Sequence, residues 1–193
     1  MTTLTANQVA DYILIRLGKE GGVPVTDLKL QKLLYYCQGW HLAAFGRPLF
    51  RDTINAWKHG TAVRSVWDRF KCLGKAPIPP DLADATVIDH IPLASRRVID
   101  DTLEELGQVS AWVLADMTHL EPAWLEARCG HPSRTPNAPL NTNTILDSFA
   151  EKARRRIEEC DDSETAKDPD IETWAIQAAK RHGLCCSEAT NSE

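Results

Sequence analysis

The run from Asp27 to Ala44, DLKLQKLLYYCQGWHLAA, constrains this chain more than any other stretch. Leu30, Leu33, Leu34, Cys37, His41 and Ala44 recur at steps of three and four, the spacing of one helix face. Leu28, Tyr35 and Trp40 widen that stripe, so the helix is expected to be contacted on two sides and to form the core on which other helices pack. Thr26 suits the N-cap, with Asp27 in the first turn, where a negative charge complements the helix dipole. Gly46 supplies a left-handed stop and Pro48 bars continuation. Lys29 and Lys32 stand off the stripe and are expected on its outside.

Helical periodicity returns elsewhere. Thr5 and Gln8 fit a capping box ahead of Val9, Ile13, Leu14 and Leu17, in a helix ending before Gly21-Gly22. Leu49-Phe50 and Ile54 to Trp57 read as extended pieces around an Arg51-Asp52-Thr53 turn, a small hairpin. His59-Gly60-Thr61 is a tight connection, followed by a helix carrying Val63, Val66, Trp67 and Phe70. Pro77, Pro79, Pro80 and Pro92 mark a loop in which Thr86-Val87-Ile88 is expected as a brief strand. Further helices are expected over 95–106, 110–117, from Pro122, and from a cap at Thr144 to Asp147; 129–143 reads as loop. An acidic linker over 161–170, a last helix over 171–182 and a disordered end complete the chain. The expected class is mainly α with at most a small hairpin: a single compact helical domain, residues 1–140, with a C-terminal helical extension, 141–193.

At 193 residues, one such domain buries enough surface to fold without metal or disulfides. No apolar run approaches the roughly 20 residues needed to cross a bilayer, and the N-terminal stretch has no basic segment ahead of an apolar one. A cytoplasmic location is expected, with no membrane partner. Net charge is −5 but unevenly spread. Residues 1–80 carry 11 Lys and Arg against 5 Asp and Glu, or +6; residues 81–193 carry 11 against 22, or −11. That asymmetry fits a basic contact face with an acidic tail, or simply two solvated faces.

The chemistry-bearing residues each have a plainer alternative. Cys37 and His41, four apart, make half of a zinc site, with His59, His119, Cys129 or His131 as the other half. A buried small residue and a hydrogen-bonded core histidine account for them as well. None of the six cysteines forms C-x-x-C, so reduced thiols and no metal or other cofactor are expected. His119 and Glu121 suit acid–base work or the bracing of a helix junction; with no further catalytic constellation, no enzyme and no catalytic residue are expected. Lys58, Arg64, Arg69, Lys71 and Lys75 face only Asp68 in charge and could neutralise phosphates. The acidic whole and the lack of a helix-turn-helix pattern argue against nucleic acid as a partner, and the aromatic flanks Trp57 and Trp67 suit a protein surface equally well.

Three blocks carry a resemblance: LKLQKLLYYCQGWHLAAFGRPLF from Leu28, AWKHGTAVRSVWDRF over Ala56 to Phe70, and THLEPAWLEAR over Thr118 to Arg128. In this order they resemble the Panacea-domain antitoxin family, the SocA-like and GepA-like phage-associated proteins. Two departures stand out: Cys37 where members carry a small residue such as Ala, and His59-Gly60-Thr61-Ala62-Val63 where His-Gly-Pro-Val is common. Thr61 is expected to cap the next helix in place of that proline. The resemblance implies a mainly α antitoxin encoded beside a cognate toxin, which it neutralises by direct contact. It also implies, as an alternative, an adaptor handing the toxin to a ClpXP-type AAA+ protease, in which the final residues could face the protease; autoregulatory DNA binding is less favoured. Leu30, Gln31, Leu33, Leu34, Tyr35, His41 and Gly60 are expected to build the family's structural motif. Lys29, Lys32, Trp57, Lys58, His59 and Arg64 are the expected toxin-binding residues, the alternative being that Trp57 and His59 only fix the fold.

Overall fold

A helix with no polar side has to be wrapped, and the other elements of this protein wrap one. The computed structural model describes residues 4–19, 24–128 and 137–161. Helix α2 (Asp27–Phe45) is buried at every position from Lys29 to Ala44. Around it lie α1 (Ala6–Lys19), α3 (Arg64–Phe70), α5 (Leu93–Leu106), α6 (Ala111–His119) and α8 (Thr142–Asp161), joined by the short α4 (Val87–His90) and α7 (Pro122–Arg128). A small antiparallel sheet completes the described residues: β1 (Ile54–Trp57), β2 (Gly60–Val63) and β3 (Ala138–Pro139), in the order β2-β1-β3. The mainly α class with a small hairpin is thus found. No described helix is long and apolar enough to cross a membrane.

The predicted caps form. Thr5 N–H donates to Gln8 Oε1 at 2.9 Å and Gln8 N–H to Thr5 Oγ1 at 3.3 Å. Thr26 Oγ1 accepts from Lys29 N–H, and Gly46 closes α2 in the left-handed region. Ser110 caps α6.

Four local expectations need correction. The hairpin joins Ile54–Trp57 to Gly60–Val63 through Lys58-His59, rather than Leu49-Phe50 to Ile54–Trp57. The backbone of Leu49 and Phe50 is claimed elsewhere: both N–H groups donate to Gln38 Oε1, and Phe50 bridges to Leu4. Thr86 to Ile88 is not a strand; Asp84 accepts from both the N–H and the hydroxyl of Thr86 and turns the chain into α4. Thr61 does not cap α3, because it lies within β2 and Val63 takes the N-cap position without a side-chain bond. Within the expected 129–143 loop, Ala138-Pro139 pairs with β1, and α8 begins at Thr142 rather than Thr144. Gly21-Gly22, Cys129, His131, and the linker, last helix, Cys185-Cys186 and end expected after 161 lie outside the described residues.

The largest correction concerns Lys29 and Lys32. They are not on the outside of α2 but buried, at 0% and 2% exposure. Lys29 Nζ donates to the Gly107 carbonyl at the end of α5, and Lys32 Nζ to the Thr61 carbonyl of β2 at 2.7 Å. With helices on all sides, α2 has no outer face on which to place them. Burial lowers the pKa of both ammonium groups, that of Lys32 from 10.5 to about 7, against the opposing pull of Asp27.

Phe149 of α8 is fully buried and meets Tyr35, Tyr36 and Trp40 edge-on, with ring centroids 5.1–6.0 Å apart. Gly39 makes room for it: a Cβ there would lie 2.3 Å from the Phe149 ring. Gly39→Ala is expected to destabilise the protein by about 1–3 kcal/mol in urea unfolding, while helix content is retained. A second prediction follows from Lys32. Between its folded value near 7 and its unfolded value near 10.5, the unfolded chain binds more protons, so stability rises with pH. From pH 7 to pH 9 the gain is expected to be about 2 kcal/mol, and Lys32→Met should flatten that slope.

Candidate interaction surface

The turn of the β1-β2 hairpin reaches the protein surface because its base is held from below. Gly60 has φ of +95°, and a Cβ on it would lie 2.2 Å from Thr118 Oγ1 and 3.0 Å from Lys32 Nζ. The strand can therefore lie directly on α6 and α2 only with glycine at this position. Gln31 Oε1 accepts from Val63 N–H at 2.7 Å, and its amide nitrogen donates to Asp27 at 3.0 Å. Together with the Lys32 bond to Thr61, two side chains of α2 hold the outer edge of β2.

From this base the turn presents Lys58 and His59, both exposed. His119 Nε2 lies 3.2 Å from the Lys58 carbonyl, and the Trp124 indole N–H donates to the Trp57 carbonyl at 3.2 Å. The His59 ring meets Trp112 of α6 edge-on at 5.9 Å, while Trp57 meets Trp67 of α3 at 5.3 Å. Arg64 and Lys71 lie over Trp67 at 5.1 and 5.0 Å. Of the six predicted toxin-binding residues, Trp57, Lys58, His59 and Arg64 thus occupy one aromatic and basic surface. Lys32 lies beneath it, bonded to β2, and Lys29 is buried against the end of α5.

The basic stripe is weaker than its composition suggests. Arg64 and Lys71 both pair with Asp68, at 2.9 and 2.7 Å, which holds that carboxyl below its usual range. Arg69 turns inward to Asp11 at 2.7 Å. Three of the five cations read as a phosphate-binding stripe are therefore already paired, Arg64 and Lys71 sharing the one carboxylate of Asp68.

Three residues of the surface escaped the sequence reading: Trp112, Val113 and Leu120, exposed by 60%, 51% and 78%. Leu114, Ala115 and Thr118 are the buried side of α6. At 100° per residue, Trp112, Val113, Asp116 and Leu120 stand opposite them. The helix is thus apolar on its solvent side as well, a signal visible in its sequence as apolar residues on two opposed faces. Leu120 also lies on the lip of a groove of about 510 Å³ between the end of α6 and α8, floored by Tyr36, Trp40, Leu106, Met117 and Phe149.

The remaining candidates act as braces. Glu121 accepts from the hydroxyls of Tyr35 and Tyr36 at 3.3 and 3.5 Å and pairs with Lys152 of α8 at 2.6 Å. Burial beside this carboxylate pushes both phenols far up, keeping them protonated donors. His41 has both ring nitrogens engaged, Nδ1 with the Arg47 carbonyl at 2.9 Å and Nε2 with Ser95 Oγ at 3.0 Å. Burial pulls its pKa down to about 4, so the neutral ring serves as a core link. Cys37 is fully buried and its thiol is pushed up to about 12. These contacts suit the structural readings of Cys37, His41, His119 and Glu121.

Comparison with known proteins supplies the family. The model of the Antitoxin SocA-like, Panacea domain matches residues 30–125. Antitoxin SocA of Caulobacter vibrioides (strain NA1000 / CB15N) is 30% identical over 105 residues, covering 50% of this chain and 56% of that protein. The match thus spans little more than half the length of this relative. No solved structure matches the chain. The matched stretch runs from α2 through the hairpin and α6 into α7, the elements that build the surface, and through it the chain belongs to the SocA-like Panacea-domain family.

Proposed function

We propose that this protein is an antitoxin that neutralises a toxin protein by direct binding, acting in the cytoplasm as a binding protein rather than an enzyme. The observation that carries the reading is the coincidence of two things in one stretch: membership of an antitoxin family, and an exposed surface of the kind proteins use for one another. Trp57, Lys58, His59, Arg64 and Trp112 supply the aromatic and cationic side chains over-represented among binding hot spots. A standard interface of about 1,600 Å² is larger than this surface alone, so the rim would extend over neighbouring elements.

The test is co-expression with the protein encoded beside it. That protein alone should arrest growth, this chain should restore it, and the two should co-elute. Lys58→Glu combined with Arg64→Glu should weaken the complex at least tenfold by calorimetry. A harmless neighbour that does not bind would refute the proposal. The toxin's half-life separates occlusion from delivery to a ClpXP-type protease: unchanged half-life means occlusion, and a shortened one means an adaptor.

A further inference from the structure

Two features of the surface restrict the shape of whatever covers it. The first is the state of the sheet edge. The outward N–H of Val63 is taken by Gln31 and the outward carbonyl of Thr61 by Lys32. A partner strand cannot extend the sheet there, because the groups it would pair with already have partners inside the protein. The second is the solvent side of α6. Trp112, Val113 and Leu120 form an apolar ridge interrupted only by Asp116, running about 12 Å along the helix axis. At Leu120 the ridge opens into the groove bounded by α8. The groove brings no net charge of its own: Arg156 pairs with Glu105, Arg155 with Glu151, and Lys152 with Glu121. On its other flank the ridge meets the hairpin turn, where Lys58 has no carboxylate partner among the described residues.

We propose that the outward face of α6 and the adjoining groove seat an amphipathic helix of the toxin, its apolar side on Trp112, Val113 and Leu120 and its acidic flank beside Lys58 and His59. The inference rests on the antitoxin reading and specifies how the partner is held. With strand addition disfavoured at the β2 edge, helix on helix fits this face, since an apolar ridge of two to three turns with a groove beyond it matches the side-chain spacing of a second helix. Charge complementarity selects a partner with carboxylates on one flank, and this term acts mainly on the association rate.

The experiment uses the full-length chain and the toxin encoded beside it. Leu120→Lys and Val113→Lys each change an exposed side chain, so both variants are expected to keep the wild-type thermal midpoint. Each should weaken toxin binding about 100-fold or more by calorimetry. Lys58→Glu should slow association and reduce its dependence on salt. Hydrogen exchange on the toxin should show new protection in one helical segment when the complex forms. Wild-type affinity in both lysine variants would overturn the proposal while leaving the antitoxin reading intact. So would toxin protection confined to strands or loops, or a homodimer of the free chain that Leu120→Lys dissociates. A wild-type chain that binds no neighbouring protein would refute the antitoxin reading, and the inference would fall with it.

Discussion

Everything in this protein follows from placing α2 where water cannot reach it. An unmade buried hydrogen bond costs about 1–3 kcal/mol, and α2 carries Lys29, Gln31, Lys32, Gln38 and His41 into the interior. None of them is wasted on another side chain of its own helix alone. Lys29 ties the end of α5, Gln31 and Lys32 tie the edge of β2, Gln38 ties Leu49 and Phe50, and His41 ties Arg47 and Ser95. The apolar residues of α2 supply the driving force for packing; its polar ones determine which backbone segment goes where.

That division explains how a structural motif can serve recognition without touching a partner. The exposed turn with Lys58 and His59 sits on a hairpin whose edge is held by Gln31 and Lys32 and whose approach to α6 requires Gly60. Its position relative to Trp112 is therefore set from inside. Lys32 contributes at some cost in stability, since burial opposes its charge. Further along α2, α8 lies beyond the matched family stretch, yet its Phe149 fills the space left by Gly39 and its Lys152 pairs with Glu121. The family core and the following helix thus share one interior.

Much of this was legible in the sequence. The three-and-four spacing of Leu30, Leu33, Leu34 and Cys37 marks α2, and Thr5, Thr26 and Gly46 mark helix ends through their local chemistry. What misled was the assumption that lysine means surface. Periodicity identifies a face, but a helix enclosed on every side has no face to spare, and only the tertiary neighbours reveal that. The hairpin register was misplaced for a similar reason: Leu49-Phe50 has the composition of a strand, but its partners, Gln38 and Leu4, are distant in sequence. Trp57, Lys58, His59 and Arg64 lie around the hairpin turn, whereas Lys29 and Lys32, read as part of the same surface, are buried. Trp112, Val113 and Leu120 are not distinguishable by periodicity alone, because α6 carries apolar residues on two opposed faces and only its packing shows which one is exposed.

The claim that the buried polar groups of α2 position the surface is tested most directly at Val63. Its amide donates to Gln31 and not across the sheet, so its exchange rate reports that bond. In native-state hydrogen exchange, the wild-type Val63 amide should open only with the whole fold. In Gln31→Leu it should exchange by local opening, orders of magnitude faster, while the amides in the middle of α2 keep the protection of the global unfolding limit. Equal protection of Val63 in the two proteins would contradict the account.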